Sequence, residues 1–313
     1  MRAAILRAHG ATPELGEFEE PVAGEGTEVA EVLAAGLNPV DMRKASGSFP
    51  LLPPLPVPSV AGWEGVARLA DGSRVYFVDP PPPSGALAER TLVDPATAFP
   101  VPDGVDEALA VALGIAGLAG WLALEWSARL REGETVLVLG ATGTVGQVAV
   151  QAARALGAGR IVAAGRDPGA LERAAELGAD ATVALGEAGD LEQAFREAGG
   201  GGFDVVVDPL WGEPAVAAIK ASNRFARFVQ LGQSAGAEAT VASSDVRMKA
   251  LRIVGHTNYA IPIEDQRAAY ARMTERAAAG ELTADLERVP LDDAAAAWER
   301  QRSGPGTKLV IVP

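Results

Sequence analysis

The stretch VLVLGATGTVG, residues 136–146, decides the fold. Val136–Leu139 is a short continuous apolar run, the pattern of a strand buried on both faces of a parallel sheet. It stops at Gly140, and Gly143 and Gly146 follow. Val145, Val148, Ala149, Ala152, Ala153 and Leu156 then recur at helical spacing, and Gly157 ends the run. Glycines between a strand and a helix suit a pyrophosphate. Gly140 permits the tight turn, Gly143 lets backbone N–H groups come close, and Gly146 lets helix and strand pack. The start of the helix attracts the anion. A dinucleotide is therefore expected on this turn, with Thr142, Thr144 and Val145 lying among its glycines.

Strands and helices alternate downstream. RIVAAG (160–165), ATVAL (181–185), FDVVVD (203–208), FARFVQLG (225–232) and LRIVG (251–255) read as further strands. Asp167 and Pro168 open a helix with its stripe at Ala170, Leu171, Ala174, Ala175 and Leu177. This pattern predicts a doubly wound parallel sheet with right-handed crossovers. An NAD site usually carries an acid at the tip of the second strand, where it accepts from the ribose hydroxyls. Here that tip is Gly165 followed by Arg166, and Asp167 comes one residue late. A guanidinium matches a 2′-phosphate and accepts nothing from a hydroxyl, so NADPH is the expected cofactor. Arg173 is a weaker helper. Gly232 and Gln233, at the end of the fifth strand, are expected at the nicotinamide half.

The rest of the chain differs. Before about residue 117 it is proline-rich, with LLPPLPVP at 51–58 and PPPP at 80–83, and short strand-like runs lie between turns. After Gly255 come one helix (about 264–279) and a final strand, KLVIVP, too little for a domain alone. Two domains follow from the 313 residues: a mostly β domain, 1–116 with 257–313, and a nucleotide domain, 117–256, inserted into it with a cleft between. There is no cysteine, which excludes disulfides, thiolate metal sites and a catalytic thiol. The formal charge of −14 argues against nucleic acid. The apolar run 108–124 is too broken by glycines for a membrane span, and MRAAILRAHGATPEL has too short an apolar core for a signal peptide. A soluble cytoplasmic protein without a membrane partner is expected. The apolar sixth strand invites edge-to-edge pairing, so a homodimer is expected.

These features occur beside a more specific set. AAGLNPVD (34–41), AGWEGVA (61–67), GALAERTLV (85–93), LREGETVLVLGATGTVGQVAVQAARALGA (130–158), FDVVVDPLWG (203–212) and the ending GPGTKLVIVP run through the chain in order. Together they make it resemble the medium-chain dehydrogenase/reductase superfamily, in its zinc-free quinone oxidoreductase branch. The resemblance implies a Rossmann domain inserted into a GroES-like β domain. It also implies hydride transfer from NADPH to a quinone or to an α,β-unsaturated carbonyl.

Zinc-dependent relatives have a cysteine where Asn38 stands and a histidine where Trp63 stands, and the only histidines here are His9 and His256. No tetrahedral ligand set results, so no catalytic metal is expected. Glu64 then reads as a buried acceptor, and Asp41 as a structural one. Asn38 reads either as a donor to the nicotinamide or the substrate carbonyl, or as an Asn-Pro turn residue. Asn38, Phe49 and Trp63 are the expected pocket. Relatives usually have a tyrosine where Phe49 stands, and often a threonine where Ala119 stands. A missing phenol leaves Tyr76 or Tyr259, with His256 third, as proton donors; each reads equally as a packing residue. The alternatives are a pathway-specific enoyl or ketone reductase of secondary metabolism, and a weakly catalytic NADPH-binding sensor or structural protein.

Overall fold

Short strands separated by proline and glycine turns build the first of two units, Met1–Ile115 with Tyr270–Pro313; the second is Ala116–Ala269. The computed structural model describes residues 1–313. In chain order the first stretch contains β1 (Arg2–Leu6), β2 (Glu14–Glu17), β3 (Glu28–Gly36), α1 (Pro39–Ala45), β4 (Ser59–Val60), β5 (Glu64–Arg68), β6 (Arg74–Val78), β7 (Arg90–Val93), β8 (Phe99–Pro100) and α2 (Glu107–Ala112). The second unit holds α3 (Leu118–Leu122), β9 (Thr135–Leu139), α4 (Thr144–Ala155), β10 (Arg160–Gly165), α5 (Pro168–Glu176), β11 (Ala181–Ala184), α6 (Leu191–Ala198), β12 (Phe203–Asp208), α7 (Gly212–Ala221), β13 (Ser222–Gln230), α8 (Ser243–Arg247) and β14 (Arg252–Gly255). Then follow α9 (Ile263–Ala278), β15 (Leu286–Pro290), α10 (Ala294–Ser303) and β16 (Lys308–Val312).

In the first unit a seven-stranded sheet runs β15-β16-β3-β5-β6-β8, with β7 on β3, and a three-stranded sheet runs β2-β1-β4. The tail joins this unit because β16 pairs antiparallel with β3, Val310 opposite Gly36. Leu37, Phe77, Leu87, Trp298 and Leu309 fill its core. This is the GroES-like β domain.

The second unit is a six-stranded parallel sheet in the order β11-β10-β9-β12-β13-β14, the Rossmann arrangement. Val136–Leu139 are fully buried, as a continuous apolar run in a two-sided sheet must be. Leu137, Leu139, Val206 and Phe228 pack against Phe195, Phe203 and Ile219. β13 begins at Ser222, three residues before the run read from sequence, and the positive φ of Phe225 marks the irregularity between the two starts. The unit also takes in residues 257–269, which the sequence reading gave to the first. Gln266 there closes a local turn by donating to the Asn258 and Ile261 carbonyls.

Glu107–Ala128 is long and apolar enough to cross a membrane by length and composition, but 78% of its window is buried within the protein. Glycines shape this run by close approach. A Cβ on Gly120 would lie 2.4 Å from the Val145 carbonyl oxygen, so α3 reaches α4 only without a side chain there. Gly120→Val is expected to destabilise the fold by about 1–3 kcal/mol through overpacking. Thermal unfolding measured beside the wild type checks this; an unchanged midpoint would refute the contact.

Candidate functional site

The nucleotide turn follows from the ends of β9 and α4. Gly140 has φ +61, and a Cβ on Gly146 would sit 2.3 Å from the Gly140 carbonyl oxygen. The turn therefore closes only with glycine at both positions. Gly143 is the N-cap of α4 and offers no side-chain cap. The first intrahelical bond of this turn runs from Gln147 N–H to the Gly143 carbonyl, 2.9 Å. The N–H groups of Thr144, Val145 and Gly146 precede it and have no partner within the helix. A Cβ on Gly143 would meet nothing nearer than the Gly140 oxygen at 3.8 Å, so space lies before these donors. Converging N–H groups, a helix dipole and an open approach fit an anionic pyrophosphate.

At the tip of β10, Gly165 packs against Thr142, where a Cβ would come within 2.8 Å of Cγ2. Arg166 is exposed. The carboxylate of Asp167 caps α5, accepting from Gly169 N–H at 2.9 Å. Arg173, the weaker candidate, pairs with Glu176 at 2.9 Å. β13 ends at Gln230, whose side chain donates to the Gly232 carbonyl, 2.6 Å. Gly232 lies so close to Pro209 that a Cβ would meet its oxygen at 2.5 Å, and Gln233 follows it at the strand's end. Asp208, at the end of β12, accepts from Leu210 and Trp211 N–H; its Oδ2 is buried without a partner, and burial raises its pKa to about 6.

In the first unit, the residues of the expected pocket fall into two places. Asn38, before α1, is 4% exposed. Its Nδ2 donates to Glu64 Oε1 at 2.7 Å, and its Oδ1 accepts from Lys308 Nζ at 2.6 Å. Lys308 also reaches Glu64 Oε1 at 2.6 Å. Tyr76 donates to Glu64 Oε2 at 2.8 Å, as does Ile115 N–H. Glu64 is thus a buried acceptor at the centre of a closed cluster. Two of the expected site residues have protein partners here. The Asn38 amide is turned onto Glu64 and Lys308. The Tyr76 hydroxyl is held in the core, with the ring stacked on Tyr270 at 4.9 Å, and burial beside Glu64 pushes its pKa well above the usual tyrosine value. Asp41 accepts from Asn38 N–H at 2.7 Å, the structural role expected of it.

Phe49 and Trp63 lie together, lining a small pocket with Lys44. Lys44 and Lys308 were not singled out from sequence, because a lysine ordinarily marks a solvated face. Each is buried here, at 3% exposure. The one signal was Gly36, whose missing side chain leaves room for Glu64 and Lys308. Tyr259 lies in a short turn of the second unit, 44% exposed. His256 is buried there with Nδ1 2.9 Å from Ser127 Oγ, and burial lowers its pKa. No three His, Asp or Glu side chains are grouped to hold a metal.

A Rossmann unit with an uncapped glycine turn, in one chain with a GroES-like β unit, defines a nicotinamide-dinucleotide oxidoreductase architecture. Residues 144–276 match the family described as "Zinc-binding dehydrogenase", a match that leaves out Asn38, Trp63 and Glu64. The quinone oxidoreductase of Rattus norvegicus is 36% identical over 188 residues, 58% of this chain and 56% of the rat protein. The chain thus spans little more than half of that relative. A mycocerosic acid synthase-like polyketide synthase of Mycobacterium tuberculosis is 29% identical over 231 residues, 71% of this chain and 11% of the synthase. The quinone oxidoreductase of Thermus thermophilus, solved also in complex with NADPH, superposes with a TM-score of 0.86 at 29% identity, covering 100% of both chains. In sequence and fold the chain is thus similar to quinone oxidoreductases of the medium-chain dehydrogenase/reductase superfamily.

The buried cluster has a consequence for stability. Burial, and then the charge of Glu64, raise the Asp41 pKa from 3.8 to about 7. The folded state therefore binds more protons than the unfolded state between these values. Its stability from this group is fully present below 3.8 and is lost as pH rises towards 7. Asp208 acts in the same direction up to about 6. Asp41→Asn should flatten the part of the profile that belongs to Asp41. Thermal midpoints across this pH range, compared between variant and wild type, test it; parallel profiles would refute it.

Proposed function

We propose that this protein is an NADPH-dependent, zinc-independent oxidoreductase that reduces a quinone or a strongly activated α,β-unsaturated carbonyl compound. The observation that carries the reading is the uncapped N-terminus of α4 behind Gly143, beside a second strand that ends at Gly165 and is followed by Arg166. NADPH, when bound, supplies the hydride. The N–H groups of Thr144, Val145 and Gly146 would hold the pyrophosphate. Arg166 would take the 2′-phosphate, and the neighbouring acid, Asp167, is committed to capping α5. Gly232 and Gln233, after β13, would border the nicotinamide end. Zinc independence is supported by the donor set: there is no cysteine, and Asn38 and Trp63 stand where the zinc-dependent relatives have ligands.

Proton supply separates the substrate classes. Reducing a carbon–carbon double bond leaves an enolate that needs a proton at carbon. Phe49 carries none to give, and Tyr76 is bound to Glu64. A hydroquinone anion is far less basic and takes its proton from water. The likeness to a polyketide synthase supports the second reading, a pathway-specific enoyl or ketone reductase of secondary metabolism. Steady NADPH oxidation with 9,10-phenanthrenequinone, compared with an unactivated enoyl thioester, separates the two; faster thioester turnover would favour the second.

Cofactor choice has its own test. Arg166→Ala should weaken NADPH by about ten- to a hundredfold and leave NADH nearly unchanged. Equal losses for both cofactors would remove Arg166 from the site.

A homodimer is part of the same reading. β14 is the free edge of its sheet, and Ile253 on it is 43% exposed. An antiparallel copy across this edge would cover it. Light scattering at micromolar concentration should give twice the chain mass, and Ile253→Lys should lower it; a monomeric wild type would refute the pairing.

A further inference from the structure

Asp208 carries a charge that its hydrogen bonds do not require. It is the last residue of β12 and is 0% exposed. Its Oδ1 accepts from the N–H groups of Leu210 and Trp211, at 2.8 and 2.9 Å, and its Oδ2 has no partner. No opposite charge faces it. Gln230 lies across from it on β13, and the pairing of Val207 with Val138 on β9 leads on to Leu139. The charged side chains of α7, Glu213 and Lys220, are exposed. Burial raises the Asp208 pKa to about 6, against the pull of the two N–H groups, with no contribution from another charge. An asparagine would offer the same acceptor oxygen without an ion to bury, so folding alone does not call for a carboxylate.

The segment that Asp208 holds gives the charge a use. Trp211 has φ 56 and ψ −160, a backbone conformation that is strained for any residue but glycine. Its N–H is one of the two on the carboxylate, and a hydrogen bond to an ionised acceptor is roughly twice as strong as one to a neutral oxygen. Pro209–Gly212 lies between two parts of the nucleotide site. On one side is Gly140, where a Cβ would come 3.1 Å from Leu210 Cδ2 and 3.2 Å from Pro209 Cγ. On the other side the N–H groups of Leu231, Ser234 and Ala235 donate to the Asp208, Pro209 and Leu210 carbonyls, at 2.9, 3.2 and 2.8 Å. These three residues flank Gly232 and Gln233. β9 and β12 are also the neighbours at which the strand order reverses, where the crevice for a ligand opens.

Resting on the dinucleotide reading above, we propose that Asp208 is a positioning residue of the nucleotide site. Its carboxylate clamps the strained turn at Trp211, and through Pro209–Gly212 it sets the spacing between the glycine turn after β9 and the Gly232–Gln233 stretch after β13. The charge lowers stability and raises affinity. A residue that only supports the fold would not show these opposite signs.

The test compares wild type with Asp208→Asn by calorimetric titration with NADP+, which survives mild acid, and by thermal unfolding, each from about pH 5 to about pH 8. The phosphate of the ligand and the carboxyl of Asp41 titrate with both proteins and cancel in the comparison. At about pH 8 the variant should bind NADP+ about three- to tenfold more weakly, the difference between a charge-assisted and a neutral hydrogen bond. At about pH 5 the wild-type carboxyl is itself mostly protonated, and the two affinities should agree within about twofold. Stability should move the other way. The raised folded-state pKa penalises the ionised wild type, so the variant should have the higher thermal midpoint at about pH 8, the gap closing as pH falls towards 3.8. Trp211→Gly removes the strain and keeps the N–H, so adding Asp208→Asn to it should weaken binding by less than about twofold. A full loss in that background would overturn the clamp on Trp211. A lower midpoint for Asp208→Asn, or its failure to fold, would make Asp208 structural, and tighter binding would show its charge repelling the ligand phosphates; either overturns the proposal. Unchanged affinity would overturn it while leaving the oxidoreductase reading intact. If wild type binds neither NADP+ nor NADPH, both fall.

Discussion

Glu64 and Lys308 form a buried ion pair on which the first unit depends, with side chains 0% and 3% exposed. Removing one partner of such a pair costs about 3–5 kcal/mol, because the other charge is left without solvent. The pair is tolerable only because each charge meets further partners. Asn38 bridges the two, and Tyr76 and Ile115 N–H complete the carboxylate. Those groups come from β5, β6, β16, the turn before α1 and the end of the run after α2. Gly36 on β3 leaves the space, since a Cβ there would fall 2.5 Å from Glu64 Oε1. One carboxylate thus fixes the relative positions of segments that share no local sequence.

The second unit is built on the opposite principle. The core of its sheet is apolar, because its strands present apolar side chains to both faces. Its unmet polar groups are collected at strand ends and helix starts. The N–H groups before Gln147 and Oδ2 of Asp208 belong to this set. Unpaired backbone donors are costly in a core and useful where a charged ligand can reach them. The glycines that create the opening also constrain it, since Gly140 and Gly146 admit no side chain. The anion-binding turn is therefore as much a packing solution as a recognition one.

These two principles explain what could be read from the sequence. The six parallel strands and the glycine turn were legible, because a run such as Val136–Leu139 and a turn such as Gly140–Gly146 carry their structure locally. The strand-like runs of the first domain and the return of its tail were legible from turn residues and from length. Side-chain direction was not. RVYFV is buried at Val75, Tyr76 and Phe77 alike, so no alternation reveals which way the phenol faces. Asn38 has the chemistry of a substrate donor, and only the position of Glu64, 26 residues away, turns it inward. Lys44 and Lys308 look like surface residues because their partners are remote, Lys308 lying 244 positions from Glu64. What was missed is the set of contacts whose physics depends on distant residues.

The split composition of the first unit also sets an order of events during synthesis. The second unit is one unbroken stretch, Ala116–Ala269, so its strands meet their neighbours as they leave the ribosome. The first unit begins earlier in the chain yet must wait for Tyr270–Pro313. Until β16 arrives, β3 lacks its partner and Glu64 lacks the ammonium of Lys308. The unit that begins before the other is therefore completed after it. During that interval the segment that carries Glu64 lacks both the strand and the counter-charge that complete it.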